Sequence, residues 1–423
     1  MEIKLPYSKS GMYVNIPDKN MIKVLQSKAH DFKTTLSESE IVKKALENPI
    51  ESETLEELVK DKKDVVIITS DHTRPVPSRI TLPIILNKIR NSNPDIDIKI
   101  IISTGCHRPS TREELVYKMG EEIVDKENII MHFANNEESM AKVGKLPSGG
   151  DLIVNKAIME TDLLIAEGFI EPHFFAGFSG GRKSVLPGVA SVKTIMYNHC
   201  SEFIDSPYAR TGNLKNNPIH EDMLQAAKSV NLAFILNVAI DKDKKVIGAF
   251  AGNLEKAHEA GCEFVTKLSK VDSVDADIVV STNGGYPLDQ NIYQTVKGMT
   301  AAEATCKENG VIIMVSACND GHGGQSFYDS VASASSPTEI LEKVRKIPKS
   351  ETIPDQWEFQ ILARILEKFT VIMVTDLCDP QMIKNMHMKH ASSFEEALQM
   401  AFDIKGKDAK VAVIPDGVSV IVK

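Results

Sequence analysis

Three apolar runs in the first half of the chain each end in side chains able to move protons or hold anions. DVVIITS (64–70) leads into SDHTRP, with Asp71, His72, Thr73 and Arg74. IKIIIS (98–103) leads into TGCHRPS, with His107. DLLIAEG (162–168) leads into EPHFFAGFSGGRKSVLPG, which holds Glu171, His173 and Lys183 and closes on Pro187 and Gly188. Histidine changes charge near neutrality and suits reversible proton transfer. Arginine grips a carboxylate through two parallel hydrogen bonds. A lysine in a largely apolar loop loses its proton readily and becomes a nucleophile. The glycine-rich stretch departs from the P-loop pattern G-x-x-x-x-G-K-[ST], because Arg182 stands where the second glycine belongs. Gly177, Gly180 and Gly181 are expected to bring the backbone and its N–H groups close to an anion.

Such residues meet only if the runs are neighbouring parallel strands. Further apolar, β-branched runs follow: AFILNVAI (233–240), ADIVVST (276–282), GVIIMVSA (310–317), FTVIMVT (369–375) and KVAVIPDG (410–417). Separated by helical patterns, these predict an α/β fold. Two α/β domains with largely parallel sheets, 1–270 and 271–423, are expected to flank an active-site cleft, the boundary falling where LSKVDSVDADIVV (268–280) loses periodicity. IKLPY and GMYVNIP near the start predict paired edge strands. In open α/β sheets ligands bind beyond the carboxyl ends of the strands, so the three strand ends should line one crevice.

Helix signals place the remaining candidates. PSTREELVYKMG carries a capping-box pattern at Ser110 and Glu113, and SRITLPIILNKIR is apolar at 80, 84, 85 and 89. Ser191 should cap a helix ending at His199, which either answers the helix dipole or ligates a metal. In the C-terminal half, Asp289 is the expected N-cap. Gln290, Tyr293, Gln294 and Lys297 then share one helix face, opposite Ile292, Val296 and Met299. Lys297 and Arg74 can clamp a carboxylate from two sides. CNDGHGG (318–324) is expected to line the same cleft, and Trp357 is either core or pocket wall. His132, His258, His387 and His390 read as ordinary structural histidines.

Composition narrows the function classes. A formal charge of −9 disfavours nucleic-acid binding, and no apolar run reaches membrane-spanning length. Six scattered cysteines without a C-x-x-C pair predict reduced thiols, and the start of the chain shows no signal-peptide pattern, so a cytoplasmic protein is expected.

Taken together, SDHTRP, STGCHRP, EPHFFAGFSGGRKSVLPG, YNH, YQTVKG and the isolated Trp357 follow one another across positions 70 to 357. In that order they resemble the nickel-pincer-dependent lactate racemases, a family of 2-hydroxyacid racemases. The resemblance implies an isomerase interconverting D- and L-lactate. It implies a nickel-pincer nucleotide cofactor, the Ni(II) complex of a pyridinium-3,5-bisthiocarboxylic acid mononucleotide, tethered to Lys183 through a thioamide, with His199 completing the metal coordination. Soft sulfur donors plus imidazole suit nickel. Asp71, His72, Thr73, Arg74, Pro187 and Gly188 are implied on the cofactor. Arg74, Tyr293, Gln294, Lys297 and Trp357 are implied on the substrate. Hydride leaves C2 and returns to either face while His107 and His173 each serve one enantiomer as acid and base. Cofactor-maturation proteins are implied partners. Relatives with the same core motifs can act on larger 2-hydroxyacids.

Two readings compete with this one. A nucleotide-dependent transferase would use 177–184 as a degenerate P-loop, against which Arg182 weighs. A zinc-binding protein would gather His107, His173 and His199, leaving Arg74, Lys183 and Lys297 without a role.

Overall fold

The computed structural model describes residues 1–423, apart from the side chain of His30. It is organised by two six-stranded sheets. Numbered along the chain, their strands are β1 (Met21–Val24), β2 (Asp64–Ser70), β3 (Asp97–Ser103), β4 (Asn128–Met131), β5 (Leu164–Phe169), β6 (Leu232–Ile240), β7 (Val246–Gly252), β8 (Ala276–Thr282), β9 (Cys306–Val315), β10 (Thr370–Val374), β11 (Lys389–Ala391) and β12 (Val411–Ile414). The first sheet runs β7-β6-β5-β2-β3-β4 and the second β11-β10-β9-β8-β12-β1. Only β6 and β7 pair antiparallel. The eight apolar runs of the sequence are all strands in parallel pairings. Side chains along β2 alternate between two cores: Val65 and Ile67 join one apolar cluster, Val66 and Ile68 another. That second cluster continues into the other sheet through Phe203, Ile361 and Ile365 to Ile312 and Met314. Among the described residues, no helix is long and apolar enough to cross a membrane.

Each sheet has a point where its winding reverses. In the first sheet β3 and β5 lie on opposite sides of β2; in the second, β9 and β12 lie on opposite sides of β8. Register brings the ends of the first three strands level. Ser70 pairs with Ser103, and Ile68 with Ala166, so Asp71 stands one residue past the β2–β3 pairing and level with the end of β5. The residues after β2, β3 and β5 therefore emerge together at the reversal, where such folds hold ligands.

The start of the chain packs on the second sheet, and two local expectations are corrected. β1 pairs parallel with β12, and Leu5, Tyr7, Val14 and Ile16 of the preceding hairpin are buried against Ile278 and Val280, so the start of the chain belongs to the second sheet. Helix α1 (Ser78–Ser92) is as predicted, but the next, α2 (Arg112–Met119), is capped by Thr111 and Glu114 rather than Ser110 and Glu113. That one-residue shift frees the Ser110 hydroxyl, which lies 3.0 Å from His72 Nδ1. Asp289 is not an N-cap either. It is buried and accepts the Ser8 N–H at 2.6 Å, because its loop packs on the N-terminal hairpin.

Candidate functional site

The turn after β2 and the turn after β3 share a hydrogen-bonded unit. His107 Nδ1–H donates to Asp71 Oδ2 at 2.8 Å, and the Thr73 hydroxyl donates to Asp71 Oδ1 at 2.7 Å. Burial alone would raise the Asp71 carboxyl, but the His107 contact, Thr73 and the Arg74 charge together hold it below the usual aspartate range. With Nδ1 occupied by Asp71, Nε2 is the ring nitrogen of His107 left available. His72 points elsewhere, to Ser110 and Glu114.

The glycine-rich loop is built for packing more than for exposing amides. Gly177 has φ +80°, and a Cβ there would lie 2.3 Å from the Asn213 carbonyl oxygen. A Cβ on Gly188 would lie 2.1 Å from the Ser184 carbonyl oxygen. Gly180 and Gly181 are closed against Asn237 and His258, and the Gly181 N–H donates to Asn237 Oδ1 at 2.7 Å. At each of these glycines the protein packs where a side chain would stand. Arg182 explains its own presence. Its buried guanidinium donates to the carbonyls of Ala176 (2.8 Å), Ser179 (3.3 Å) and Gly180 (3.2 Å) and to His220 Nδ1 (3.1 Å). It staples the loop from behind, and Lys183 emerges on the other side within the short helix Gly181–Ser184.

Lys183 Nζ lies 3.2 Å from His173 Nε2, and the Ala176 N–H donates to His173 Nδ1 at 3.3 Å. A neutral imidazole carries one proton, so with Nδ1 accepting, Nε2–H points at a lysine amine that must itself be uncharged to receive it. Burial and the nearby Arg182 and Arg74 charges push Lys183 far below the lysine range. Burial and Lys183 likewise push His173 well below the histidine range. His199 closes helix α3 (Val192–Asn198), capped at its start by Ser191 as expected. Its Nδ1–H donates to the Ile195 carbonyl at 3.0 Å, which leaves the Nε2 lone pair free. Burial above all lowers its pKa to about 3. The ring is gripped edge-on by Phe175 at 5.3 Å and Trp357 at 5.0 Å, so Trp357 is a wall of this site.

The second sheet contributes helix α4 (Ile292–Glu303), which starts beyond β8 with Asn291 as N-cap. Ile292, Val296 and Met299 are buried in the core, while Tyr293, Gln294 and Lys297 take the other face. Gln290 precedes the helix and bonds the Pro287 carbonyl instead, because the cap lies two residues later than predicted. Lys297 donates to Gln294 Oε1 at 2.6 Å. Burial and Arg74 lower its pKa, while the charges of Glu358 and Glu171 oppose that shift. The loop 318–324 supports the start of α4 through the Gly321 and His322 carbonyls. Glu171, one of the strand-end residues, has its pKa raised by burial against the pull of Arg74 and Lys297. One acid went unnoticed in the sequence, Glu358 on helix α5 (Gln356–Lys368), whose only signal is adjacency to Trp357. Among the described residues, no three His, Cys, Asp or Glu side chains cluster to hold a metal alone, so His107, His173 and His199 do not form the zinc site considered above.

Family models of the lactate racemase N-terminal and C-terminal domains match residues 7–212 and 271–422. A lactate racemase of Lactiplantibacillus plantarum is 58% identical over 421 residues, spanning 100% of this chain and 99% of its own. One from Thermoanaerobacterium thermosaccharolyticum is 56% identical with the same coverage. The solved lactate racemase apoprotein of T. thermosaccharolyticum matches at a TM-score of 0.97 and 55% identity over 100% of both chains. A Thermotoga maritima protein of solved structure, 19% identical, shares the fold at a TM-score of 0.66 over 92% of this chain and 99% of its own.

Proposed function

The chain belongs to the lactate racemase family and is by that membership an isomerase, and from there we propose that it interconverts D- and L-lactate with a nickel-pincer nucleotide. The observation that carries this reading is the pair formed by Lys183 and His199. An uncharged lysine amine and an imidazole with its Nε2 lone pair free and its orientation locked are what a covalent tether and a metal ligand require. The residues thus fit the group: Lys183 holds it covalently, and His199 supplies the one protein ligand to nickel. When bound, the cofactor supplies a reversible hydride acceptor for C2 of the substrate.

The remaining work belongs to side chains. Arg74 and Lys297 bind the substrate carboxylate from the two sheets, with Tyr293, Gln294 and Trp357 around it. Removing hydride from C2 requires the hydroxyl proton to leave as well, and D- and L-lactate present that hydroxyl on opposite sides. His107 Nε2 accepts it from one enantiomer, and the imidazolium so formed is stabilised through Nδ1–H by Asp71. His173 accepts it from the other, once its Nε2 no longer faces a free amine. Thr73 sets the Asp71 carboxylate, and Pro187 and Gly188 shape the loop beside the tether. Gly188 also accepts the Gly105 N–H at 2.9 Å, which joins that loop to the His107 turn.

The test is chiral chromatography of lactate after incubation with protein produced alongside cofactor-maturation proteins, together with its intact mass. Racemisation and a mass increase located at Lys183 are expected; a loaded protein that leaves each enantiomer unchanged refutes the lactate assignment, and racemisation of a larger 2-hydroxyacid alone reassigns the substrate.

A further inference from the structure

Helices α4 and α5 are pinned together by Arg364, whose Nε and Nη2 donate to the two oxygens of Glu303 at 3.0 and 2.8 Å. This is how the fold satisfies an ionised carboxylate at that interface. One turn from the start of α5, Glu358 is treated in the opposite way. It is 1% exposed, and its Oε1 is enclosed with no hydrogen-bond partner. Among the described residues no lysine, arginine or histidine makes an ion pair with it. An ionised carboxylate without donors in a buried position is costly, and protonation is the usual escape. The titratable groups near enough to couple to it electrostatically are Lys297 and Tyr293 from α4 and Asp355 at the head of α5. Lys297 in turn faces Arg74, Glu171 and Gln294.

Resting on the reading of Lys297 and Arg74 as the carboxylate clamp, we propose that Glu358 works as an uncharged carboxylic acid, and that its ionisation is what ends substrate binding at alkaline pH. Kept neutral, it leaves the clamp net positive. Once ionised, it competes with the substrate carboxylate for Lys297 and repels it. The raised value of about 8, set by burial and by Asp355 against the pull of Lys297, agrees with this geometry. Binding of a 2-hydroxyacid anion above that pH therefore takes one proton from solvent onto the Glu358 carboxyl. Glu358 is a positioning residue: it acts on the substrate through the charge balance at Lys297.

The experiment compares cofactor-loaded wild type with Glu358→Gln, which keeps the shape and the neutrality. Between pH 6.5 and 8.5 the wild-type KM for both lactate enantiomers should rise several-fold with kcat little changed, whereas the KM of Glu358→Gln stays level. A merely structural role would lower kcat or stability without removing that rise. Persistence of the rise in Glu358→Gln overturns the proposal. Should the variant not fold, calorimetry of pyruvate binding to the wild type at pH 8, in two buffers of different ionisation enthalpy, decides: proton uptake supports the proposal, and no exchange or release overturns it. A wild-type protein that binds pyruvate but leaves lactate optically unchanged refutes the lactate reading alone, and the proton count still decides Glu358.

Discussion

The two walls of the crevice are finished to different degrees. On the first-sheet side every reactive group is held by the protein: His107 by Asp71, His173 by the Ala176 amide, His199 by the Ile195 carbonyl, and the Lys183 loop by Arg182. On the second-sheet side, among the described residues, Lys297 has only Gln294 of its own helix, and Oε1 of Glu358 has no hydrogen-bond partner. The difference separates two tasks. Proton and hydride chemistry needs groups fixed in advance, since reorganisation during the reaction raises the barrier. Carboxylate capture needs a charge left incomplete until the substrate arrives. The histidines and Lys183 of the first wall are preorganised, while the clamp of Arg74 and Lys297 is completed by its ligand.

The contrast predicts where each substitution shows. Lys183→Ala should abolish both the mass increase and racemisation, with the fold intact by circular dichroism; retained activity would remove the first wall from the chemistry. His107→Gln should lower kcat by about 10³-fold, and Asp71→Asn, which spares the base but not its support, by about 10- to 100-fold, each with KM nearly unchanged. Lys297→Met should do the reverse, raising KM about tenfold or more while kcat falls less. If Lys297→Met lowers kcat as deeply as His107→Gln, the division of tasks fails. A further effect concerns stability. Folded Glu358 holds its proton to about pH 8, whereas an unfolded glutamate releases it at about 4.3. The folded chain binds more protons in that window, so this group's contribution to stability falls as pH rises through it. The thermal midpoint of Glu358→Gln, compared with wild type, should therefore climb from pH 5 to pH 8.

The strands were legible because parallel strands buried on both faces read as unbroken β-branched runs, and their ends named Asp71, His107, His173 and Lys183 without any contact being known. Pairings across long separations were not. Nothing in SDHTRP says that Asp71 bonds a histidine 36 residues on. Arg182 read as a lost glycine, since its role depends on three carbonyls that converge only in the folded loop. Thr111 and Ser110 are both cap formers, and which one starts α2 is decided by the chain entering from β3. Glu358 sits in a helix whose pattern predicts burial of its neighbours, and a buried acid looks like any surface acid until its surroundings are seen.

The edge strand β1 has a consequence for how the molecule is made. Met21 lies beside Val411, and Val24 beside Val413, so a strand synthesised early completes a sheet whose other strands come late. The first sheet can close while synthesis continues. The second cannot, and contacts of such long range form slowly. Until residue 414 has emerged, the opening hairpin waits with Leu5, Val14 and Ile16 unburied, and newborn chains are exposed to misassembly at their N-terminus rather than at the reactive crevice.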